Sequence, residues 1–223
     1  MQSITVLLAD DHQIVREGFR SLLKLDTSIV IIGEAHDGRE AVALARQLRP
    51  AVVVMDIAMP LLNGLGATQQ IMSAHPGARV IILSAHSDDA YIDRALAVGA
   101  AGYLIKQTSA EILARAIREV HAGRTFFSPS IARRLQEKKA DGHTGPVRRI
   151  VANLTARELE VIQLIAEGRA NKQVAADLDI SIKTVEKHRQ HVMDKLKIHD
   201  TAGLTRYAIE QGIIESSTQV TIV

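Results

Sequence analysis

The sequence predicts a doubly wound α/β domain built on five parallel strands, followed by a small all-α domain. Three observations carry this prediction. Short aliphatic runs alternate with longer segments of helical period through residue 123, the alternation stops there, and strongly capped helices without strand pattern resume beyond residue 152.

The aliphatic runs are Ile4–Ala9, Ile29–Gly33, Ala51–Met55, Val80–Leu83 and Gly102–Ile105. Near-continuous Val, Ile and Leu, rather than strict alternation, mark strands covered on both faces, as in a parallel sheet with right-handed crossovers. Between them, Ala41, Val42, Leu44, Ala45 and Leu48 mark one helical face over 38–48, and Ala90, Tyr91, Arg94, Ala95 and Val98 mark another over 88–98. Residues 124–150 combine a short helix signal, with Ser128 as cap and Pro129 in the first turn, with a Gly-, Pro- and Lys/Arg-rich stretch that reads as a linker.

Thr155 and Glu158 then have capping-box spacing, Leu154 and Leu159 can form the flanking staple, and Gly168 is the expected stop. Asn171 and Ser181 are cap candidates for helices at about 172–178 and 182–196, and a fourth runs from about 201 to Gln211, ended by Gly212. The expected plan is a first domain over 1–121, a linker over 122–151, a helical domain over 152–215 and a tail over 216–223.

Composition narrows the chemistry. Cysteine is absent, which removes disulfides, thiolate metal sites and thiol catalysis. The longest nearly uncharged apolar run, Ala95–Ile105, falls short of the roughly 20 residues a membrane span needs. The opening MQSITVLLADDH meets acid within ten residues and lacks a basic leader. No membrane partner is expected, and the cytoplasm is the expected location. Residues 1–123 carry 11 Lys+Arg against 13 Asp+Glu, whereas residues 124–223 carry 16 against 12, so a polyanion partner is admissible only for the second half.

Strand one ends at Asp10 and Asp11, strand three at Asp56, strand four at Ser84 and strand five at Lys106. These ends share the sheet edge where open α/β sheets bind ligands. Converging carboxylates repel one another strongly unless a cation sits between them, and Mg²⁺, which takes one or two carboxylates and completes its octahedron with phosphate oxygens, is the natural cofactor. A phosphoryl group follows: Asp56 can attack phosphorus, while Lys106 and the Ser84 hydroxyl hold its oxygens. A Gly-x-Gly at Gly64 and Gly66 lacks the third glycine of a dinucleotide fingerprint, since Gln69 stands there, so these glycines are expected to serve a turn. Haloacid-dehalogenase-type phosphatases want a second Asp two residues beyond the nucleophile, where this chain has Ala58, and no enzyme is expected.

The motifs LLADDH, VMDIAMPLLNG, ILSA and GYLIK resemble the receiver domain of two-component response regulators over residues 4–121. That resemblance implies that Asp56 accepts a phosphoryl group from a sensor histidine kinase. It also implies that Asp10, Asp11 and the main-chain carbonyl of Ala58 bind Mg²⁺ with Asp56, and that Tyr103 is a switch aromatic that moves as Ser84 moves toward the phosphate. Ala58 and His86 would flank the approach of hydrolytic water. Many receivers have Pro after the strand-five lysine; here Lys106 precedes Gln107.

On the helix over 182–196, Ile182, Val185, Val192, Met193 and Leu196 can pack inward, leaving Lys183, Thr184, Lys187, His188, His191 and Lys195 toward other faces. A short helix, a tight turn through Leu178–Ser181 and this helix form a helix-turn-helix, whose second helix enters the DNA major groove. The segment LTARELEVIQLIAEGRANKQVAADLDISIKTVEKHRQHVMDKLKI resembles the LuxR/NarL/FixJ-type DNA-binding domain over about 152–214, and the whole chain resembles a NarL/FixJ-type response regulator. By position, that likeness assigns Lys183, Thr184, Val185, Lys187 and His188 to the recognition surface and Asn171, Lys172, Ser181 and Lys195 to DNA-backbone contacts. Leu204, Tyr207 and Ala208 either form a dimer surface or close the core. The implied partners are the kinase, an operator DNA, a second phosphorylated copy of the chain and RNA polymerase.

Overall fold

The structure, a computed structural model, describes residues 3–85, 87–140 and 154–214. His86, the tail over 216–223 and residues 141–151 of the expected linker lie outside the described residues. Two compact units divide the chain near residue 148.

The first unit alternates β1 (Ile4–Ala9), α1 (Gln13–Leu23), β2 (Ile29–Ala35), α2 (Gly38–Leu48), β3 (Val52–Asp56), α3 (Gly64–Ala74), β4 (Val80–Ser84), α4 (Asp89–Ala97), β5 (Gly102–Ile105) and α5 (Ala110–His121). The strands pair in parallel in the order β2-β1-β3-β4-β5, and the alternation of strand and helix follows the one expected from the sequence. Strands β3 and β4 are buried along their whole length, which explains why they read as uninterrupted Val, Ile and Leu. One apolar cluster fills the face carrying α2, α3 and α4; a second, with Phe19, Leu113 and Ile117, fills the face carrying α1 and α5.

The five-strand expectation needs one correction. A sixth strand, β6 (Phe126–Phe127), pairs in parallel with β5, and α6 (Pro129–Ala140) follows it, so the segment expected as linker contributes ordered structure to this unit. Two residues are too short to register as an aliphatic run. Gly102 makes the pairing feasible, because a Cβ there would lie 2.8 Å from the Phe126 carbonyl oxygen.

The second unit is helical: α7 (Ala156–Ala166), α8 (Asn171–Leu178), α9 (Ile182–Leu196) and α10 (Thr201–Glu210). The capping box at Thr155 and Glu158 is present, with Thr155 N donating to Glu158 Oε2 at 2.7 Å and Glu158 N to Thr155 Oγ1 at 3.2 Å. Helix α8 departs from expectation by one residue. Its cap is Ala170, whose N–H donates to the Gln173 side chain at 2.9 Å, and Asn171 is the first helical residue. Asp179 closes α8 in the left-handed conformation, and Ser181 caps α9 by accepting from Thr184 N at 3.1 Å, which leaves a three-residue turn between the two helices. Leu204, Tyr207 and Ala208 are buried with Val161, Ile162 and Val192, so they close the core and form no exposed dimer surface. Among the described residues no helix is long and apolar enough to cross a membrane.

Candidate functional site

The strand order places β1 beside β3, and the crossovers diverge between them; this is the switch point at which doubly wound sheets open a crevice beyond their carboxyl ends. Asp10 follows β1 and Asp56 ends β3, and both side chains are almost fully buried, 1% and 2% exposed. Lys106, just beyond β5, sets its Nζ 2.9 Å from Asp10 Oδ2 and 2.8 Å from Asp56 Oδ2. These are ion-pair distances, yet neither oxygen receives an aligned hydrogen bond. Burial, only partly offset by the Lys106 charge, pushes the Asp56 carboxyl up to about 6, and Asp10 adds to the rise. Burial alone would lower Lys106, but the Asp56 and then the Asp10 carboxylate hold it above the usual lysine range.

Asp11 sits at the rim with His12, whose Nδ1 lies 2.7 Å from Asp11 Oδ1 and whose N–H donates to Asp10 Oδ1 at 2.9 Å. One ligand atom from each of Asp10, Asp11, His12 and Asp56 falls within 4.8 Å of the others. Two buried carboxylate oxygens without an aligned donor, beside a third carboxylate at the rim, fit a hard divalent cation that prefers oxygen ligands. Ala58 lies half-buried in the loop after β3.

Ser84 ends β4, is 1% exposed, and its carbonyl accepts from Lys106 N at 2.8 Å, which ties the last turn of β5 to β4 without a proline. Tyr103 lies inward, 1% exposed and hydrogen-bonded to the Ser84 side chain; burial pushes its hydroxyl up to about 12. The loop from β3 to α3 is fixed from below. Asn63 caps α3 by accepting from Gly66 N at 2.8 Å, and Gly64 N donates to the Ile57 carbonyl at 2.9 Å. The two glycines thus open a helix against β3 rather than serving an isolated turn, and the roles of Gly64 and His12 were not legible in the sequence.

In the second unit, Lys183 and Lys187 are exposed on α9, Thr184 and His188 are half-buried, and Lys172 is exposed on α8 beside the half-buried Asn171. Val185 requires correction: it is fully buried, on the inward side that the helical period indicated, and cannot reach a groove. Lys195 is engaged within the unit, its Nζ 2.8 Å from both carboxylate oxygens of the buried Glu158. Ile182 also requires correction: expected to pack inward, it is exposed at the first position of α9, and with Glu186 and Gln190 at i, i+4 spacing it extends the exposed stripe of the helix.

Residues 6–118 match the response regulator receiver domain, and residues 152–208 match the bacterial regulatory proteins of the luxR family. The chain is 37% identical over 211 residues to the transcriptional regulatory protein MctR of Rhizobium johnstonii, covering 95% of each. It is 34% identical over 216 residues to the response regulator protein VraR of Staphylococcus aureus, covering 96% of this chain and all of that one. Among solved structures, RcsB from Salmonella enterica serovar Typhimurium, bound to promoter rprA in the presence of the phosphomimetic BeF3−, aligns with a TM-score of 0.58 at 26% identity, over 92% of this chain and 98% of that one. The fold, the acidic crevice and the helix-turn-helix therefore define a two-component response regulator with a DNA-binding output. The chain belongs to the NarL/FixJ family, in which a receiver is joined to a LuxR-type domain.

Proposed function

We propose that this chain is a cytoplasmic transcription regulator whose sequence-specific DNA binding is controlled by Mg²⁺-dependent phosphorylation of Asp56 by a sensor histidine kinase. One observation carries the reading: two buried carboxylate oxygens, from Asp10 and Asp56, converge at the β1/β3 crevice around the Lys106 ammonium. In the transfer, an Asp56 carboxylate oxygen forms a bond to phosphorus as the P–N bond of the kinase phosphohistidine breaks, and the histidine, protonated on its other ring nitrogen, leaves as neutral imidazole. Mg²⁺, held by Asp10, Asp11, Asp56 and the Ala58 carbonyl, would supply neutralisation of the phosphoryl oxygens. Lys106 exchanges its carboxylate partner for a phosphoryl oxygen, and Ser84 turns its hydroxyl from Tyr103 toward another.

On the output side, Lys183 and Lys187, with Thr184 and His188, face the major groove, while Asn171, Lys172 and Ser181 contact phosphates. Lys195 would reach phosphate only by leaving Glu158. Phosphorylation favours a homodimer reading two half-sites and, when bound at a promoter, contacting RNA polymerase. The test is intact-mass analysis after incubation with acetyl phosphate and Mg²⁺, followed by capture of genomic fragments. Wild type should gain one phosphoryl group and change its DNA occupancy; Asp56→Asn should do neither. Equal DNA binding by the two proteins would make the receiver a constitutive dimerisation module instead.

A further inference from the structure

Helix α6 continues directly from β6, and β6 is in register with the strand that carries the switch tyrosine: Phe127 pairs with Tyr103, and Ser128 N donates to the Tyr103 carbonyl at 3.1 Å. Ile131 of α6 is completely buried in the apolar cluster that also contains Tyr103 and the α4 residues Ile92 and Ala95, with Phe127 and Leu135 packed against it. One turn further along, the Arg134 guanidinium donates to the Ser87 carbonyl, three residues past Ser84, and lies 3.4 Å from the Asp89 carboxylate at the start of α4. A helix outside the five α/β repeats is thus fastened both to the segment after β4 and to the residues around Tyr103.

We infer that α6 is a latch that senses phosphorylation: docked through Ile131 and Arg134 in the unphosphorylated chain, and loosened when Ser84 is drawn toward the phosphoryl group. The inference rests on Asp56 being the phosphoacceptor. Its physical basis is that one guanidinium bridges Ser87 and Asp89, so a displacement of Ser87 with Ser84 that leaves Asp89 behind breaks one of the two contacts. The Arg134 contacts are on the surface, so they contribute modestly and can be broken by a small displacement, whereas Ile131 supplies most of the docking energy. Because α6 is the last described element before the DNA-binding unit, loosening it alters the point from which the chain leaves the receiver.

The test is hydrogen exchange of the full-length chain, read by mass spectrometry on peptides covering residues 126–137, for wild type and Arg134→Ala, each with and without acetyl phosphate and Mg²⁺. Unmodified Arg134→Ala should exchange roughly threefold to tenfold faster than wild type across α6. Phosphorylated wild type should reach a similar rate, and phosphorylation should add little to the variant. Wild-type α6 protection that is unchanged despite a measured phosphoryl adduct, or Arg134→Ala protection equal to wild type, overturns the latch. A missing adduct in wild type fails the phosphoacceptor reading, and with it the phosphate dependence of the latch, while the unmodified Arg134→Ala arm still decides whether Arg134 holds the helix down.

Discussion

The start of helix α3 presses on the backbone of the acidic crevice: a Cβ built on Gly64 would lie 1.8 Å from the carbonyl oxygen of Asp56. The obstructing atom is main chain in a fully buried strand, so it cannot swing aside as a flexible side chain would. Gly64→Ala should therefore lower stability by about 1–3 kcal/mol and displace Asp56 relative to Lys106. Denaturant unfolding would report the first effect and a loss of phosphoryl adduct the second. Wild-type behaviour in both would mean that the loop relaxes around the new methyl group.

Lys106→Met keeps much of the side chain's bulk but leaves the Asp10 and Asp56 carboxylates without their cation. A loss of about 2–4 kcal/mol is expected in metal-free buffer, since two buried acids then face each other unbalanced. Millimolar Mg²⁺ should raise the melting temperature of wild type and raise that of the variant by more, because binding to the folded form alone stabilises it by mass action. Thermal unfolding with and without EDTA checks both signs.

The Lys195–Glu158 pair predicts a pH dependence for the helical unit. Burial opposes ionisation of Glu158, but Lys195 and the Thr155 donors outweigh it and hold the carboxyl below its ordinary value of 4.5. A depressed acid contributes stability that is present above its unfolded value and is lost as pH falls through the folded one. Lys195→Ala should cost about 1 kcal/mol near neutrality, discounted for a partly exposed ammonium, and the difference from wild type should shrink as pH drops below that range. Urea unfolding followed by helical circular dichroism at neutral and acid pH measures it.

Three neighbouring substitutions on α9 should separate into three behaviours. Lys187→Ala should weaken DNA binding and reduce the slope of log affinity against log salt by about one. Glu186→Ala should change the preferred sequence, since an exposed carboxylate on this stripe can accept from a cytosine amino group. Val185→Ala should leave the salt slope alone and cost about 2 kcal/mol of stability through the cavity it opens. Fragment selection and salt titration, run beside denaturation, distinguish them.

The sequence disclosed those parts of the molecule whose physics is local. Strands covered on both faces read as aliphatic runs, and Asp10, Asp56, Ser84 and Lys106 stood out because each sits at the end of such a run. Parts governed by distant partners were illegible. Lys195 looked like a phosphate contact because Glu158, 37 positions earlier, leaves no local trace of the pairing. The cap of α8 was misplaced because Ala170 has no acceptor of its own and relies on Gln173. For Val185 the helical period indicated burial correctly, while positional likeness to the family pointed outward. Strand β6 escaped notice because its two residues pair only where Gly102 lets the backbones meet.

The central sheet also acts as a partition. Tyr103, Ile131 and the α4 residues lie in the cluster on one side, and Phe19, Leu113 and Ile117 lie in the cluster on the other. Conservative repacking under α1 and α5 is therefore insulated from the tyrosine's surroundings by a layer of main chain, so that flank can drift in sequence while the opposite one keeps the message intelligible.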